Sequence, residues 1–589
     1  MTTAADIPRI PRTIAAIHAP REHASSDWLA WAVATGVLLI IYLLLQNPYW
    51  VPGGDSEVYT GAARSIAQGH GNMFNGLPVT LVPPGWQYFM AGVMKISPTF
   101  LVLKLITMSC MFGALAIDFW ICRRFASAWT SALAIVLAGL ISHVYSLTFW
   151  LHSDAMFCLI SSAALLLAFQ IKEGRTAGWR VAALTLLCVA AVIVRWAGLL
   201  SWLLVGAALL HDELMPRINR AWVYAFITGL ATLLAFIAVR YELRVSAEIQ
   251  REIRESGVIG EDNGVPVDRA DANVATTYSL FNPARGGITG LIARAIAWGN
   301  WIGYLLWQPL RLGRSSNLLG LVSLAVGSMA LLSWLIAGLQ MARSRQWFWP
   351  AMLLYSFMLA LNWPAPNARY LVPIAPFIIL GVFRGMELIR LRWPNPAVAQ
   401  TCRVLAGYFV VSLVICNGAL WAVDVWVARS EDFYANYEAG MDADLISVSR
   451  WLTAHNAGDL EIGATDRYVN LGKVRISRLG LRVTSMLTGK SIVGVNGRYV
   501  RLGDPRDNPH FLAWARGLGV KYVLYQTEVS PWRLFHFRVG FLQELMSDQP
   551  AVETGAGWRL YYIPGTGDSA KRVMGLSPSK DWPTRVPGM

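Results

Sequence analysis

The chain has few charged side chains for its length. Asp, Glu, Lys and Arg together make up 15% of its 589 residues, whereas soluble domains usually carry about 25%. Hydrophobic residues make up 55%, and there are 26 tryptophans, a residue type enriched where a membrane meets water. The composition is not that of a soluble protein, and it predicts an α-helical polytopic membrane protein.

Signals for nucleic-acid binding are missing as well. The net charge is +14, but no basic segment interleaved with aromatic residues lies outside the apolar runs. On a membrane protein such a charge is typical of basic cytoplasmic loops beside acidic lipid headgroups. We therefore expect the lipid bilayer as a partner, and no nucleic acid.

Cysteine is scarce and never paired in sequence. No CxxC motif occurs, which argues against a metal knuckle, and a disulfide framework is not indicated. We interpret the cysteines as small buried apolar residues. The six all lie in or at the ends of apolar segments, at Cys110, Cys122, Cys158, Cys188, Cys402 and Cys416.

Motifs for soluble nucleotides and for familiar hydrolases are also missing. The chain contains no GxxxxGK[ST] and no GxGxxG ahead of a helix. It contains no GxSxG and no HExxH either. A donor delivered as a soluble nucleotide is therefore not supported, and a membrane-borne donor is favoured.

Eleven apolar runs are long enough to cross, or nearly cross, a bilayer core of about 30 Å. Two of them are short and are expected to be sheltered by neighbouring helices or to border a water-filled cavity. The runs lie near residues 28–47, 99–121, 128–149, 155–171, 180–194, 196–211, 221–240, 318–341, 347–362, 370–390 and 403–427.

Lys and Arg set the expected orientation, because they concentrate in cytoplasmic loops. Residues 1–27 are polar, contain three arginines and show no cleavable signal, so they are expected to be a cytoplasmic tail ahead of a signal anchor. Eleven crossings from that side place every basic loop inside. External loops 48–98 and 241–317 and the C-terminal end then lie outside, most simply at a bacterial inner membrane.

One apolar, Trp-rich segment does not fit this count. If residues 288–310 crossed the bilayer, the basic residues Arg343 and Arg345 would lie outside. We therefore predict that the segment lies in the membrane interface or re-enters the membrane. One further crossing is the alternative.

The composition changes near residue 428. Residues 428–565 are predicted to form an extracytoplasmic α/β domain, and 566–589 a disordered tail. Helix candidates are 442–455 and 509–517, and strand candidates are 460–465, 491–495, 521–526 and 558–563.

Acidic residues collect in the first outer loop. Asp55 and Glu57 precede an amphipathic helix candidate that ends at Gly69. Asp55 is either the N-cap of that helix or a general base that takes the proton of an attacking hydroxyl. The spacing also makes Asp55 and Glu57 candidate ligands for a divalent cation, if the backbone is extended there.

A second outer cluster contains His152 and Asp154, where the same two interpretations, helix cap and functional carboxylate, stay open. Arg195 lies between two apolar spans and needs an anion there. That anion is either Asp154 or a lipid phosphate, which a guanidinium binds through two parallel hydrogen bonds. Arg369 follows the same logic and is a second candidate for binding a lipid phosphate. Its alternative is ordinary snorkelling to the membrane edge.

These residues, read in order, resemble a known superfamily. The first outer loop has Gly53-Gly54-Asp55-Ser56-Glu57 with Tyr59, and later Pro83-Pro84-Gly85. Ser153-Asp154, Arg195-Trp196-Ala197-Gly198 and Arg369-Tyr370-Leu371 follow. This arrangement resembles the GT-C membrane glycosyltransferases, especially the branch of protein O-mannosyltransferases and aminoarabinose transferases, over residues 28–427 and the outer domain.

The resemblance implies an inverting transfer of sugar from a polyprenyl-phosphate donor to a hydroxyl of a protein, lipid or glycan. It implies Asp55 as general base and Asp154 as a second catalytic carboxylate that orients donor or acceptor. Arg195 and Arg369 would bind the donor phosphate, and no cofactor beyond a possible divalent cation is implied. Supporting positions are Glu57, Tyr59, His152 and Tyr370.

Two other functions stay open at this stage. Many spans also suit a transporter or flippase of lipid-linked sugars, although transporters usually show matching halves and charges near the middle of the membrane. A non-catalytic protein of cell-envelope polymer assembly, which would use its outer domain for binding, is the other alternative.

Overall fold

The structure is a computed structural model, and its described part covers most of the helical region and the strands of the C-terminal region. It comprises residues 24–51, 55–74, 77–79, 82–174, 178–211, 220–255, 298–299, 301–303, 305–306, 317–362, 368–431, 433, 452, 454, 462–464, 467–471, 474–478, 492–494, 522–526, 551–554 and 558–562.

Helices dominate the first 430 residues. Within the described residues, each of the eleven apolar runs contains a helix, two further helices lie between the first two runs, and a short third one lies inside the run 128–149. In chain order the helices are α1 Ala24–Leu43, α2 Ser56–Ala67, α3 Gly85–Ile96, α4 Phe100–Cys122, α5 Ala128–Leu140, α6 Ser142–Ser146, α7 Ser153–Lys172, α8 Gly178–Val194, α9 Gly198–Leu209, α10 Arg220–Glu255, α11 Asn317–Arg343, α12 Phe348–Asn362, α13 Ala375–Arg392 and α14 Pro396–Arg429. A 3-10 helix, Ala368–Ile374, leads into α13.

Six described spans are long and apolar enough to cross a membrane: Ser25–Leu43, Phe100–Cys122, Ser153–Lys172, Arg220–Glu248, Ala368–Arg392 and Pro396–Arg429. Four shorter apolar helices lie among them. The chain is therefore an integral membrane protein of the predicted polytopic α-helical class. The number of crossings, eleven, stays a prediction.

The amphipathic helix predicted after Asp55 is α2. Its end satisfies its own carbonyls, because Gly69 N–H donates to Ile66 O at 3.0 Å and His70 N–H donates to Ser65 O at 3.0 Å. Gly69 adopts φ +87°, a left-handed conformation that glycine reaches without a Cβ penalty. A short hairpin of β1 Met73–Phe74 and β2 Leu77–Pro78 follows. Gly53 and Gly54 lie outside the described residues.

Ion pairs mark the end of the bundle that carries the basic loops. Arg123, just after α4, pairs with Asp27 in the first turn of α1 at 2.7 Å. Arg124 pairs with Glu173, just after α7, at 2.6 Å. Asp154 lies at the opposite end of α7, which at 1.5 Å per residue is about 30 Å away. Arg123 and Arg124 therefore lie at the opposite end of the bundle from Asp154, and which end faces the cytoplasm stays a prediction.

The segment predicted to lie in the interface or re-enter is partly described. Trp301, Ile302, Leu305 and Leu306 are buried, and Asn417 of α14 donates to Leu306 O at 3.0 Å. These residues therefore pack inside the protein and do not lie on its surface. The prediction that 288–310 lies in the interface or re-enters, and its alternative of one further crossing, both stay open.

The C-terminal region contains a five-stranded mixed sheet of order β6-β3-β7-β9-β8. All four predicted strands are present, and β8 and the separate hairpin β4–β5 were not predicted. The helix candidate 509–517, the tail 566–589 and nearly all of 442–455 lie outside the described residues. The strands are β3 Ile462–Ala464, β4 Arg467–Leu471, β5 Val474–Arg478, β6 Ile492–Gly494, β7 Tyr522–Gln526, β8 Ala551–Thr554 and β9 Trp558–Tyr562.

All six cysteines are free, and five of them are buried. This agrees with their interpretation as small apolar residues of the helix bundle.

Candidate active site

Four segments that are far apart in the chain meet at one end of the helix bundle. They are the start of α2, the start of α7, the break between α8 and α9, and the 3-10 helix Ala368–Ile374. Each brings one of the four residues on which the sequence prediction rested, namely Asp55, Asp154, Arg195 and Arg369. The contacts described next show that these four side chains share one cluster.

Asp55 is paired with Arg369. The Nη2 of Arg369 lies 2.7 Å from Oδ2 of Asp55, a contact that joins residues 314 positions apart. Asp55 occupies the N-cap position of α2, but its side chain makes no capping hydrogen bond. The helix-cap interpretation of its carboxylate is therefore not supported, because neither oxygen accepts a capping hydrogen bond.

Asp154 is paired with Arg195. Nη1 of Arg195 lies 2.7 Å from Oδ2 of Asp154, and it also donates to Ser153 Oγ at 3.2 Å. Asp154 lies in the first turn of α7, where the helix dipole favours a negative charge. Of the partners predicted for Arg195, the structure shows Asp154.

The two pairs differ in their access to solvent. The Asp154 and Arg195 side chains are 4% and 10% exposed. In the other pair Arg369 is 10% exposed, but Asp55 is 35% exposed. Asp55 is therefore the carboxylate that a substrate approaching from solvent can reach.

His152 links the two pairs. Its Nδ1 lies 2.9 Å from Nη1 of Arg369 and 3.8 Å from Oδ2 of Asp154. Because a guanidinium only donates, Nδ1 is the acceptor in the contact with Arg369. The ring of Trp150, which was not predicted as part of the site, stacks on His152 at a centroid distance of 5.3 Å.

Tyr370 lies beside both arginines. The Cζ atoms of Arg195 and Arg369 are 4.8 and 5.4 Å from the centre of its ring. A ring with negative charge on its faces attracts guanidinium groups. Tyr370 therefore stabilises two like charges that would otherwise repel each other.

Tyr59 and Ser153 add a hydrogen bond beneath the pairs. The Tyr59 hydroxyl lies 2.9 Å from Ser153 Oγ, and both groups are buried. Burial raises the pKa of Tyr59 well above its ordinary value, so the phenol keeps its proton. Ser153 was quoted in the sequence motif but was not assigned a role. The sequence feature that could have identified Ser153 is its position directly before Asp154 at the start of a helix.

Close backbone packing fixes the position of Arg195. A Cβ added to Gly198 would overlap the backbone of Ala191 and Val192 in α8, and a Cβ on Gly85 would lie 2.8 Å from Ile193 O. Glycine at these two places lets α9 and α3 approach the end of α8. This explains the glycines of the Arg195–Gly198 and Pro83–Gly85 motifs.

Glu57 is completely buried in the first turn of α2. The cation site predicted from Asp55 and Glu57 does not fit this arrangement, because the Arg369 guanidinium already lies 2.7 Å from Asp55. Among the described residues, no group of three or more His, Cys, Asp or Glu side chains is placed to hold a metal ion.

No protein-family model matches the chain, and no curated protein matches it in sequence. Solved structures do match its fold. The oligosaccharyltransferase of Archaeoglobus fulgidus in the apo form matches with a TM-score of 0.51 at 11% identity, over 85% of this chain and 69% of that one. ArnT from Cupriavidus metallidurans in the apo state matches with a TM-score of 0.49 at 11% identity, over 91% and 98%.

A second structure of that ArnT, bound to undecaprenyl phosphate, matches with a TM-score of 0.48 at 12% identity, over 93% of this chain and 99% of that one. At such identities the likeness concerns the fold. The match to the Archaeoglobus fulgidus oligosaccharyltransferase, with a TM-score of 0.51, shows that the chain shares the fold of that protein, and this is the fold class that the resemblance in its motifs predicted.

Proposed function

We propose that this GT-C chain is an integral membrane glycosyltransferase that moves a sugar from a polyprenyl-phosphate donor to a hydroxyl acceptor, with inversion. The observation that supports this most is the cluster of two carboxylate–arginine pairs at one end of the bundle. It combines a solvent-accessible base with two phosphate-binding groups at the expected height of a lipid headgroup. Sugar identity and acceptor class, whether protein, lipid or glycan, follow from experiment.

The reaction is a single displacement. The acceptor oxygen forms a bond to the anomeric carbon while the bond from that carbon to the phosphate oxygen breaks. The acceptor proton passes to Asp55, and polyprenyl phosphate leaves with the electron pair of the broken bond. A positioned general base is worth about 10²–10⁴ in rate. Attack from the face opposite the phosphate inverts the anomeric centre.

The arginines stabilise the charge that develops on the leaving phosphate. Two guanidiniums that are fixed before the reaction lower the barrier without reorganising during it. Arg195 is held by Asp154 and Ser153, and Arg369 by His152. In this proposal Asp154 acts by orienting Arg195, and Tyr370 holds both guanidiniums at a fixed separation.

The expected setting is a bacterial inner membrane, with the site and the C-terminal domain outside the cytoplasm. The proposed donor, a polyprenyl phosphate carrying a sugar, would place its phosphate at the membrane surface. The bilayer is then the route by which the donor reaches the arginines.

The test is a comparison of glycans and glycolipids by mass spectrometry in a deletion strain. Wild-type protein is expected to restore at least one sugar-modified product, and Asp55→Asn none, because an amide cannot take the acceptor proton. The control is Asp27→Asn, which removes a carboxylate of an equally short ion pair at the other end of the bundle and should restore the product. Restoration by Asp55→Asn at the wild-type level would refute the assigned base.

A further inference from the structure

The pairing of Asp55 with Arg369 has a chemical cost for a general base. A carboxylate that accepts a hydrogen bond from a guanidinium at 2.7 Å is stabilised in its charged form and holds a proton weakly. In the arrangement described above, Asp55 is therefore a poor base. Another acceptor must take the hydrogen bond from Nη2 of Arg369 before Asp55 can accept a proton from a hydroxyl.

We propose that the phosphate of the donor itself takes the Nη2 of Arg369 away from Asp55, so that the base becomes active only when donor is bound. This inference rests on the proposed function and adds an order to it: donor first, proton transfer second. The phosphate oxygen replaces the Asp55 oxygen as hydrogen-bond acceptor, and the freed carboxylate turns to the acceptor hydroxyl.

The geometry favours this exchange at Arg369. Its other terminal nitrogen, Nη1, is bonded to His152, and its guanidinium lies near the Tyr370 ring. The guanidinium can therefore stay in place while only the partner of Nη2 changes. Its present partner Asp55 is 35% exposed, so water and the acceptor can solvate the released carboxylate.

The second pair, Asp154 with Arg195, is expected to stay intact when donor binds. Asp154 is 4% exposed and belongs to the first turn of a helix, so releasing it would leave a buried charge without its counter-ion. Breaking a buried pair of that kind is strongly unfavourable. Arg195 therefore keeps its carboxylate partner throughout, and Arg369 is the arginine that changes partner.

Charge changes during the reaction make the exchange reversible. The donor is a phosphodiester with one negative charge, and the product polyprenyl phosphate is a monoester with about 1.5 to 2. The product therefore holds Arg369 at least as firmly as the donor until it leaves. When it leaves, Arg369 returns to Asp55 and favours loss of the proton that Asp55 accepted.

The exchange predicts that Asp55 competes with the donor phosphate for Arg369. Removing the charge of Asp55 should then tighten the binding of undecaprenyl phosphate, an effect that a base acting only on the acceptor would not produce. Coupling between two ligands usually changes an affinity by about 5- to 150-fold. We expect the affinity for undecaprenyl phosphate to rise by a factor in this range.

The experiment titrates full-length protein in lipid nanodiscs with undecaprenyl phosphate and measures affinity by native mass spectrometry. Asp55→Asn and Asp55→Ser, the latter keeping a good helix N-cap residue, should both bind more tightly than wild type. Asp27→Asn is the matched control and should bind as wild type does. In an Arg369→Gln background, Asp55→Asn should bring no gain.

Two results would overturn the inference, and they differ. If undecaprenyl phosphate binds wild type and Asp55→Asn equally, or binds Asp55→Asn more weakly, the exchange is wrong while the proposed function stands. If it binds neither protein better than phosphatidylglycerol does, the site does not recognise a polyprenyl phosphate, and the proposed function falls with the exchange.

Discussion

At the scale of single residues, Arg195 shows why an arginine and not any cation is needed. One terminal nitrogen reaches both the Asp154 carboxylate and the Ser153 hydroxyl, and the guanidinium lies near the Tyr370 ring. A lysine ammonium keeps the charge, but it has neither the planar fork nor the flat face that stacks on a ring. Shape as well as charge therefore determines this position.

Arg195→Lys is expected to lower the rate of sugar transfer by about 10²-fold, the usual loss when one preorganised donor to a developing anion is removed. The measurement is the initial rate of donor consumption in membranes that contain equal amounts of protein. Arg123→Lys, which changes the arginine paired with Asp27 at the other end, is the control and should keep the wild-type rate. Equal rates for Arg195→Lys and wild type would contradict the proposed role of Arg195 in sugar transfer.

At the scale of helices, the break between α8 and α9 positions that arginine. Arg195 N–H donates to Ala191 O at 2.9 Å, and Gly198 N–H donates to Arg195 O at 2.9 Å. The chain thus reverses within a few residues while its backbone groups stay bonded. Because of this reversal, the first residue of α9 packs directly against the backbone of α8. Only glycine fits at position 198, because a Cβ there would overlap backbone atoms of Ala191 and Val192.

Gly198→Ala is therefore expected to destabilise the protein by about 1–3 kcal/mol, the usual cost of overpacking, and to reduce transfer as Arg195 shifts. Gly206→Ala, in the same helix α9 but with open space around an added Cβ, should be neutral. Thermal unfolding in detergent and the transfer rate measure both effects. If the two variants unfold at the same temperature, the close approach is not what fixes the hairpin.

The helices and strands also show how much of the fold can be predicted from the sequence. The helices of the membrane region follow from apolar runs, because a local pattern is enough to specify them. The hairpin β4–β5 was missed although polar and apolar residues alternate in its two five-residue strands, a pattern that indicates a half-buried strand. The burial of Trp301, Ile302, Leu305 and Leu306 was missed because a Trp-rich run has the same composition at a lipid surface and inside a helix bundle.

The site was predicted as a set of residues but not as a set of pairs. Asp55, Asp154, Arg195 and Arg369 were expected in one pocket, and their contacts bring them together. The partner of Asp55 lies 314 positions away, and no local pattern selects one arginine over the other. Trp150 was missed for the same reason, since an aromatic residue at a membrane edge is ordinary.

At the scale of the whole molecule, the predicted orientation can be tested by cysteine labelling. His70→Cys and Arg392→Cys both place a thiol at an exposed position, the first near the site and the second at the end of a basic helix. Native cysteines add little background because five of six are buried. In intact spheroplasts a membrane-impermeant maleimide should label His70→Cys and leave Arg392→Cys unlabelled until the membrane is opened.

The reverse labelling pattern would place the site in the cytoplasm and contradict the assigned compartment. Labelling of both positions in intact spheroplasts would contradict the predicted topology as a whole. A wild-type sample treated in the same way measures the residual reactivity of Cys416, the native cysteine that is partly exposed.

The two carboxylate–arginine pairs also determine which molecules an empty site ignores. Two negative and two positive groups cancel, so seen from a distance these pairs exert little pull on dissolved chloride, sulfate or inorganic phosphate. A headgroup tethered in the bilayer needs no such pull, because its hydrocarbon tail already holds it at the rim of the pocket. Neutrality at rest would in this way keep the pocket free of the small anions around the protein.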